Sequence, residues 1–564
     1  MSTSHIDSAT VNLFPFHGAG TPPSISPLDP ANSEVKNVAV CFSGGGSRAL
    51  AAAMGQMRGL RHLGLLDKTQ YISGVSGGAW ATTIYSYVPE TISDDDLLGA
   101  VCNDPSMLTL DKHDGDSRAS ELDYLPPDNM GKVPSRLSLV KAAEQAWRWH
   151  KEGIANDEIW VRLVGNDIFR DYQRYSGYGQ SKYFTWNESW FDHVIAPNNP
   201  HLTINDFYTF PGDRYRPALF IYGSLMPRES TDAYELLPFV FSPYWSGVLA
   251  EFPKRNGQAT DIGGGAIDPF GLASRPEQAA GAGLRQVRLA ANRFSLADMA
   301  GISSAFFAEI LATKMPELDS LLPEYLYWSV MDADSPSHRY PFADGGNLED
   351  TGIASTLRFG PRNLVAFVNS STPLGWDESQ SCAIIDSQVP PLFGYQPYKK
   401  GATWPGQDWG YRLYPDAGSG EALLDPAYAT YRDNQVFPSE AFKDLLDQMW
   451  QARQRGGAVL CYQPQLTLVP NGKYGVGAGT VNMLWAYNNP VAEWHGRLHW
   501  TVKAYIDLDP FVRDFPCYAT ADVQLSARQV NLLAHLSCWN ITSDSTLSNC
   551  EGLSNHKMFE RMYR

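Results

Sequence analysis

The sequence predicts an α/β fold, because two strand–turn–helix units follow one another between Val35 and Val88. The first unit is an apolar strand, Val38–Phe42, followed by a run of glycines and a helix that begins near Ser47. The second unit is a short strand, Tyr71–Ser73, followed by a glycine-rich turn and a helix that carries Trp80 to Tyr87. Units of this kind in series are typical of an α/β protein.

The second turn, Gly74-Val75-Ser76-Gly77-Gly78, fits Gly-x-Ser-x-Gly, the pattern of a nucleophile elbow. A serine on such a sharp strand-to-helix turn has a strained backbone, and its hydroxyl projects at the end of a sheet. The N-terminus of the following helix points its amides and its positive dipole end toward the reacting centre. Ser76 is therefore a candidate nucleophile.

The first turn, Gly44-Gly45-Gly46, lets backbone N–H groups approach a ligand closely, and two such groups aimed at one point form an oxyanion hole. The same stretch up to Ala49 also fits the dinucleotide-binding fingerprint. That fingerprint expects an acidic residue at the end of the next strand, whereas Asp67 precedes the strand and a serine turn ends it. Because the two turns occur together, an oxyanion hole is favoured over a nucleotide site and over a plain glycine-rich turn.

The composition excludes several classes of protein. Hydrophobic residues make up 43% and charged residues 19% of the 564 residues, as in a folded globular protein. The net charge of −17 argues against a nucleic-acid partner and against simple electrostatic docking on anionic membranes. No secretory signal is visible, and no run approaches the roughly eighteen apolar residues of a spanning helix. The seven scattered cysteines suit reduced thiols, so we expect a cytoplasmic protein.

The two units resemble the catalytic core of the cytosolic phospholipase A2 / phospholipase B (lysophospholipase) family, which is related to patatins. The segment from Ser43 to Ala49 is similar to the family's SGGGxRA loop, and the segment from Tyr71 to Trp80 is similar to its nucleophile segment. The resemblance implies a three-layer fold with a central, mostly parallel sheet and a large cap or lid insertion. The site residues that it implies are Ser76 as nucleophile, the amides of Gly45 and Gly46 as oxyanion hole, and Arg48 as the cation near the substrate phosphate. The alternative for Arg48 is a structural ion pair at the start of a helix.

The second catalytic group is predicted in the segment from Tyr340 to Ile353, YPFADGGNLEDTGI. An apolar lead-in places Asp344 at a strand end, and the glycines after it permit close approach. Alone, this Asp-Gly would be a turn signal, but its pairing with the serine turn favours a chemical role. The family's catalytic aspartate lies in such a context and works with the serine without a histidine.

The resemblance implies hydrolysis of fatty-acyl esters of phospholipids or lysophospholipids through a Ser76–Asp344 dyad and an acyl-enzyme, with no cofactor and no metal. Contact with a membrane surface is an expectation of the same kind. A neutral-lipid lipase, an acyltransferase and a non-catalytic lipid-binding scaffold stay open as alternatives. So does a Ser-Asp-His triad with His495 or His499 as base. These two histidines lack a third ligand for a metal.

The chain is divided by composition and by the resemblance. Residues 1–34 are rich in Ser, Thr, Pro and Gly and are predicted to be a flexible leader, too short for a calcium-binding C2 module. Residues 35–564 form one elaborated catalytic domain, with 90–215 as a candidate cap or lid and 370–510 of unassigned role. The acidic stretch Asp111 to Asp116 lacks the glycine and glutamate of an EF-hand loop and is interpreted as a solvated loop.

Four further elements are predicted from local patterns. Buried strands are expected over Arg216–Gly223 and Asn363–Asn369, and helices over Leu137–Lys151 and over Ala527–Trp539 with Ser526 as N-cap. In the segment Gly301 to Phe307, Ser303 or Ser304 is expected to cap the following helix.

Overall fold

The structure is a computed structural model that describes residues 7–16, 34–111, 120–227, 235–253, 261–315, 317–318, 320–401, 409–416 and 419–564. The α-helices within these residues are α1 (Gly46–His62), α2 (Gly77–Tyr87), α3 (Asp94–Leu98), α4 (Lys132–Arg136), α5 (Leu139–Lys151), α6 (Asn156–Val164), α7 (Glu188–Trp190), α8 (Leu296–Ser303), α9 (Phe306–Lys314), α10 (Ile353–Leu357), α11 (Glu440–Gln454), α12 (Ala492–Arg497), α13 (Trp500–Leu508), α14 (Ala527–Thr542) and α15 (Asn555–Arg561).

The strands lie mostly in one large sheet. In chain order they are β1 (Ser8–Pro15), β2 (Lys36–Phe42), β3 (Thr69–Val75), β4 (Tyr183–Phe184), β5 (Phe207–Tyr208), β6 (Ala218–Leu225), β7 (Leu237–Phe241), β8 (Ser246–Gly247), β9 (Glu251–Phe252), β10 (Ile262–Gly263), β11 (Gly265–Ile267), β12 (Arg275–Gly281), β13 (Leu284–Arg288), β14 (Glu324–Tyr327), β15 (His338–Asp344), β16 (Asn363–Val368), β17 (Gly375–Asp377), β18 (Cys382–Ile384), β19 (Val459–Leu468) and β20 (Gly479–Tyr487).

The large sheet has the strand order β12-β13-β1-β11-β8-β7-β6-β3-β2-β16-β20-β19, with β15 also paired to β6 and β14 to β15. The central strands β6, β3, β2, β16 and β20 are parallel to one another. The strands on both flanks are antiparallel, from β7 outward on one side and at β19 on the other. The predicted α/β fold is confirmed. The parallel character predicted for the sheet holds at its centre, and the whole sheet is mixed.

Helices cover both faces of this sheet, which gives the predicted three layers. Along β2, Val38, Val40 and Phe42 face a hydrophobic cluster that contains residues of α1, α2 and α14. Ala39 and Cys41 face a second cluster that contains residues of α10 and α11. Successive strand residues point to opposite faces, so a strand with apolar residues at every position is buried on both sides. This is why the central strands read as continuous apolar runs.

The predicted flexible leader is wrong for Ser8–Pro15, which forms β1 in the large sheet. Its first half pairs with β13 and its second half with β11, and all partners lie at least 250 positions downstream. The alternation of Ala9, Val11 and Leu13 with polar residues is a strand signal, and the distant partners supply its hydrogen bonds. Residues 1–6 and 17–33 of that leader lie outside the described residues.

The strands and helices predicted from local patterns are confirmed. The expected strands correspond to β6 and β16, and the expected helices to α5 and α14, the latter with a capping box between Ser526 and Gln529. Residues 112–119, which include most of the acidic stretch, lie outside the described residues. The assignment of 90–215 as a cap or lid stays a prediction. Within 370–510, α11 and the β19–β20 pair extend the sheet and cover one of its faces.

Candidate active site

Ser76 lies on the turn between β3 and α2, in a backbone conformation that few non-glycine residues adopt. Its φ is 50° and its ψ is −118°, and its side chain is almost fully buried at 4% exposure. Such a left-handed serine is strained, and the surrounding packing must hold it in place. The predicted nucleophile elbow is therefore present in its backbone geometry.

The two glycine-rich turns lie against each other, which explains their composition. A Cβ atom placed on Gly77 would come within 2.1 Å of the Gly46 carbonyl oxygen, so no side chain fits between the turns. Gly45 has a φ of 126°, which an L side chain rarely adopts. The close contact brings the start of α1 beside the start of α2. Both helix N-termini thus face the region around Ser76.

Asp344 ends β15 and meets Ser76 across 268 positions of sequence. The Ser76 hydroxyl donates to Asp344 Oδ2 at 3.1 Å. The Gly346 N–H donates to Oδ1 at 2.7 Å, and the Phe306 N–H donates to Oδ2 at 3.2 Å. The register of β15 on β6 places Asp344 opposite Gly223, and that of β3 places Val75 opposite the adjacent Tyr222, so the carboxyl ends of β15 and β3 meet and bring the two side chains together.

Burial raises the pKa of Asp344 to about 7, against the opposing effect of the hydrogen bonds from Gly346, Phe306 and Ser76. Two acidic side chains also face this carboxyl group. Glu309 on α9 adds to the rise, and the pKa of Asp350 is itself raised by burial and by Asp344. A carboxyl group that titrates near neutral pH is suited to accept and return a proton.

Ser303 holds the Ser76 backbone in place. Its hydroxyl accepts a hydrogen bond from the Ser76 N–H at 3.0 Å and donates to the Tyr222 carbonyl at 2.6 Å. The expectation that Ser303 or Ser304 caps the next helix is wrong, because the N-cap of α9 is Ala305 without a side-chain cap, and Ser304 bonds back to Ala300 within α8. No residue pattern indicates this contact, since β6 and α8 are brought to the elbow by tertiary packing.

Arg48 is buried beneath the triple-glycine turn. Its Nε donates to the Asn369 carbonyl at 2.8 Å, and its Nη1 donates to the Tyr518 carbonyl. A Cβ placed on Gly45 would come within 2.1 Å of Arg48 Nη2, so the guanidinium lies directly against this turn. Burial lowers the pKa of Arg48, and the nearby carboxylates Asp386 and Asp350 oppose that effect. These contacts suit a role in holding the turn, and the predicted contact with a substrate phosphate stays a prediction.

The predicted oxyanion-hole residues, Gly45 and Gly46, lie at the start of α1 beside the serine turn. Gly45 is the N-cap of α1 and Gly46 its first residue, where N–H groups have no partner within the helix. A Cβ on the preceding Gly44 would lie 3.0 Å from Ser76 Cβ, so the turn borders the nucleophile. The use of these amides as an oxyanion hole stays a prediction.

A small apolar pocket lies next to the serine turn, with a cavity volume of about 30 Å³. Trp80, one turn beyond Ser76, packs against Phe307 in a tilted arrangement with ring centroids 5.4 Å apart, and both line the pocket. The other walls come from Val523 and from residues of α5 and α6 in the candidate cap. A Cβ on Gly46 would touch the Phe307 ring at 2.6 Å, which places the pocket beside the start of α1.

The two histidines of the alternative triad have other partners. His495 Nε2 lies 3.0 Å from Asp507 Oδ1, and His499 is the N-cap of α13, with Nδ1 2.8 Å from the Thr501 hydroxyl. They belong to different helices. Among the described residues no group of three His, Cys, Asp or Glu side chains is arranged to hold a metal ion.

Comparison with known proteins supports the resemblance. Residues 38–97 match a family model described as a lysophospholipase catalytic domain. Human cytosolic phospholipase A2 beta is 44% identical over 136 residues, which are 23% of this chain and 16% of that protein. Human cytosolic phospholipase A2 zeta is 49% identical over 55 residues, 10% of this chain and 6% of that protein. The chain thus matches only a small part of the length of these relatives.

A solved structure of human GIVD cytosolic phospholipase A2 aligns with 94% of this chain and 60% of its own, at 14% identity and a TM-score of 0.41. This structural similarity is too low to add support to the sequence matches. The family model, which covers Ser76, and the local sequence matches confirm the predicted resemblance to a cytosolic phospholipase A2 / phospholipase B-like family.

Proposed function

We propose that this protein is a serine acyl hydrolase that cleaves fatty-acyl esters of phospholipids or lysophospholipids through Ser76 and Asp344. The observation that carries the proposal is the 3.1 Å hydrogen bond from the Ser76 hydroxyl to the Asp344 carboxylate, made on a strained nucleophile elbow. The matched relatives are phospholipases by name, and a lysophospholipase catalytic-domain model covers Ser76.

In the proposed mechanism, ionised Asp344 accepts the Ser76 hydroxyl proton as Oγ bonds to the ester carbonyl carbon. The amides of Gly45 and Gly46 hold the negative charge on the carbonyl oxygen, each at a worth of about 3 kcal/mol in the transition state. The bond from that carbon to the leaving oxygen then breaks, and Asp344 gives its proton to the departing alcohol or lysolipid. For deacylation, Asp344 takes a proton from water as the water oxygen bonds to the acyl carbon. The bond from that carbon to Ser76 Oγ then breaks, which releases the fatty acid, and Asp344 returns the proton to Oγ.

The apolar pocket beside Trp80 and Phe307 supports a fatty-acyl substrate. Its aromatic and aliphatic lining, next to the turn that carries the nucleophile, is suited to contact an acyl chain, and its volume of about 30 Å³ requires the walls to move apart to admit one. Since α5 and α6 form one wall, this arrangement also supports the candidate role of 90–215 as a cap. A Ser-Asp-His triad is less well supported, because the carboxyl group of Asp344 is hydrogen-bonded by Ser76 and two backbone amides.

Contact with a lipid surface is part of the proposal. Trp500, Leu508 and Phe511, on α13 and the turn after it, are 70%, 80% and 82% exposed. The Phe511 carbonyl accepts a hydrogen bond from the side chain of Gln529 at 2.9 Å. In the chain, Gln529 follows shortly after Val523, which lines the pocket. Exposed large apolar side chains of this kind mark surfaces that bind membranes or other proteins. No single helix among the described residues has the length and hydropathy to cross a bilayer; α8 and α9 reach that length only as a pair bent by 74°.

A cytoplasmic location stays a prediction. All seven cysteines lie among the described residues and none forms a disulfide, which agrees with a reducing compartment.

The test is labelling by an alkyl fluorophosphonate probe, followed by mass spectrometry of products from a panel of phospholipids, lysophospholipids and triacylglycerols. We expect one labelled peptide, containing Ser76, no label in Ser76→Ala, and release of fatty acid from phospholipid or lysophospholipid. Cleavage of triacylglycerol alone would replace the proposal by a neutral-lipid lipase. Transfer of the acyl group to added lysolipid or alcohol in place of water would replace it by an acyltransferase. Absence of both label and products would leave the non-catalytic scaffold.

A further inference from the structure

The turn that carries Asp344 is held by side chains from the part of the chain to which the sequence assigned no role. Gln388 Nε2 donates to the Gly346 carbonyl at 3.3 Å, and the Tyr431 hydroxyl lies 3.2 Å from the same oxygen. The two side chains also contact each other, with Gln388 Nε2 2.5 Å from the Tyr431 hydroxyl. Gly346 thus has its carbonyl anchored to this pair while its N–H donates to Asp344.

Gln388 also connects the Asp344 turn with the triple-glycine turn. The Asp350 N–H donates to Gln388 Oε1 at 3.1 Å, and the Asp350 carbonyl accepts from the Gly44 N–H at 3.0 Å. Gln388 is fixed in turn by its own N–H, which donates to Asp386 Oδ1 at 3.0 Å. One amide side chain therefore connects the base to the turn that borders the nucleophile.

The next carbonyls of the turn are held by the same segment. The Thr430 hydroxyl donates to the Asn347 carbonyl at 2.9 Å, and Asn434 Nδ2 donates to the Leu348 carbonyl at 2.5 Å. Tyr431 itself is buried, which excludes water as a competing partner for its hydroxyl. Side chains of the segment from 430 to 434 therefore contact three successive backbone carbonyls of the turn, those of residues 346 to 348.

We propose that Gln388 and Tyr431 are positioning residues that hold the Gly346 N–H against the Asp344 carboxylate and keep that carboxylate aimed at Ser76. The inference rests on the function proposed above. An N–H that donates to a carboxylate favours its ionised form, so a Gly346 free to turn away would leave Asp344 a more readily protonated and less well aimed base. Removing either anchor should therefore change the chemical step and its pH dependence, and leave substrate binding alone.

The test compares Tyr431→Phe and Gln388→Met with the control Tyr428→Phe. Tyr428 packs against Tyr431 with ring centroids 5.6 Å apart, and within the described residues its hydroxyl makes no hydrogen bond.

For each anchor variant we expect kcat to fall about fivefold with KM unchanged, as for the loss of one hydrogen bond. We expect the ascending limb of the pH profile of kcat/KM to move up by about half a unit. Glu309 and Asp350 also face Asp344. Tyr431→Phe and Tyr428→Phe keep the hydrogen bonds of both, whereas Gln388→Met also removes the acceptor of the Asp350 N–H. The double variant should lose less than the product of the two losses, because both side chains act on one carbonyl.

Three results would overturn the inference. The ascending limb of the kcat/KM profile could stay at the wild-type pH in both anchor variants. KM alone could change, with kcat unaffected. Tyr428→Phe could show the same changes in kcat and pH profile as Tyr431→Phe. Thermal melts identify a variant that fails to fold, in which case Thr430→Val applies the same test through the neighbouring carbonyl. A wild-type protein that neither labels nor hydrolyses overturns the proposed function and this inference with it. An active wild type with an unmoved limb in the variants overturns this inference alone.

Discussion

Asp344 and Asp268 are buried aspartates with similar electrostatic surroundings and different neighbours. Burial raises the pKa of each carboxyl group to about 7, and backbone N–H groups donate to each of them. At Asp268, Oδ2 accepts from the N–H of Asn12 at 2.6 Å and from its side chain at 2.9 Å, while Oδ1 has no partner among the described residues. At Asp344, one oxygen receives the hydroxyl of Ser76.

The difference shows that a raised pKa reports burial, and that chemistry depends on what the carboxyl group touches. Asp268 joins β1 to the segment after β11 and has a structural role there. Asp344, whose pKa burial likewise raises, lies beside a hydroxyl on a strained turn, between two helix N-termini. Perturbed groups are enriched in active sites, but the inference requires the geometry as well.

The strongest test of this comparison is the same substitution at both positions. Asp344→Asn removes the base and should lower kcat/KM by about 10⁴-fold or more, as for other groups that act as a unit with a nucleophile. Asp268→Asn keeps an oxygen for the Asn12 N–H and should keep wild-type activity. Hydrolysis of the best phospholipid substrate measures both. An active Asp344→Asn variant would remove Asp344 from the mechanism.

Asp344 and Asp268 should make the free energy of unfolding depend on pH in the same direction. A carboxyl group whose folded pKa lies near 7 and whose unfolded pKa lies near 4 binds more protons when folded, so stability is lost as pH rises through that window. The asparagine variants lose this dependence, with a gain over wild type of the order of 4 kcal/mol at most above pH 7. Thermal melts at pH 5 and pH 8 measure it. A gain that is no larger at pH 8 than at pH 5 would show that the carboxyl groups are not held protonated.

How far the sequence predicts this site depends on how local each contact is. Ser76 and the triple-glycine turn were recognised because the elbow is formed by consecutive residues, and Asp344 because its Asp-Gly-Gly context is local too. Strand β1 was missed since its partners are far along the chain. Gln388 and Tyr431 were missed for a related reason: they bond to backbone carbonyls, and such contacts leave no residue pattern at either end.

Ser303 and Ser304 offer a matched pair at the nucleophile itself. Ser303→Ala removes the acceptor of the Ser76 N–H and should lower kcat about five- to tenfold, because the strained turn loses one hydrogen bond. Ser304→Ala removes a bond to Ala300 within α8 and should leave kcat near the wild-type value. Steady-state kinetics on one substrate compares them. Equal losses in both variants would mean that α8 acts through its packing and that the Ser303 hydroxyl has no particular part.

The smallest expected effect comes from Glu309, which faces Asp344 and has no counterpart at Asp268. Its negative charge raises the pKa of Asp344, so Glu309→Gln should let Asp344 ionise at lower pH. Since the base must be ionised to accept the Ser76 proton, the ascending limb of kcat/KM should move down from about pH 7 by a few tenths of a unit. Glutamine keeps an oxygen that can accept from Asn347 Nδ2, now 3.1 Å from Glu309 Oε1, so the fold around α9 should persist. A limb that moves up would mean that this contact orients the Asp344 turn more than the charge perturbs it.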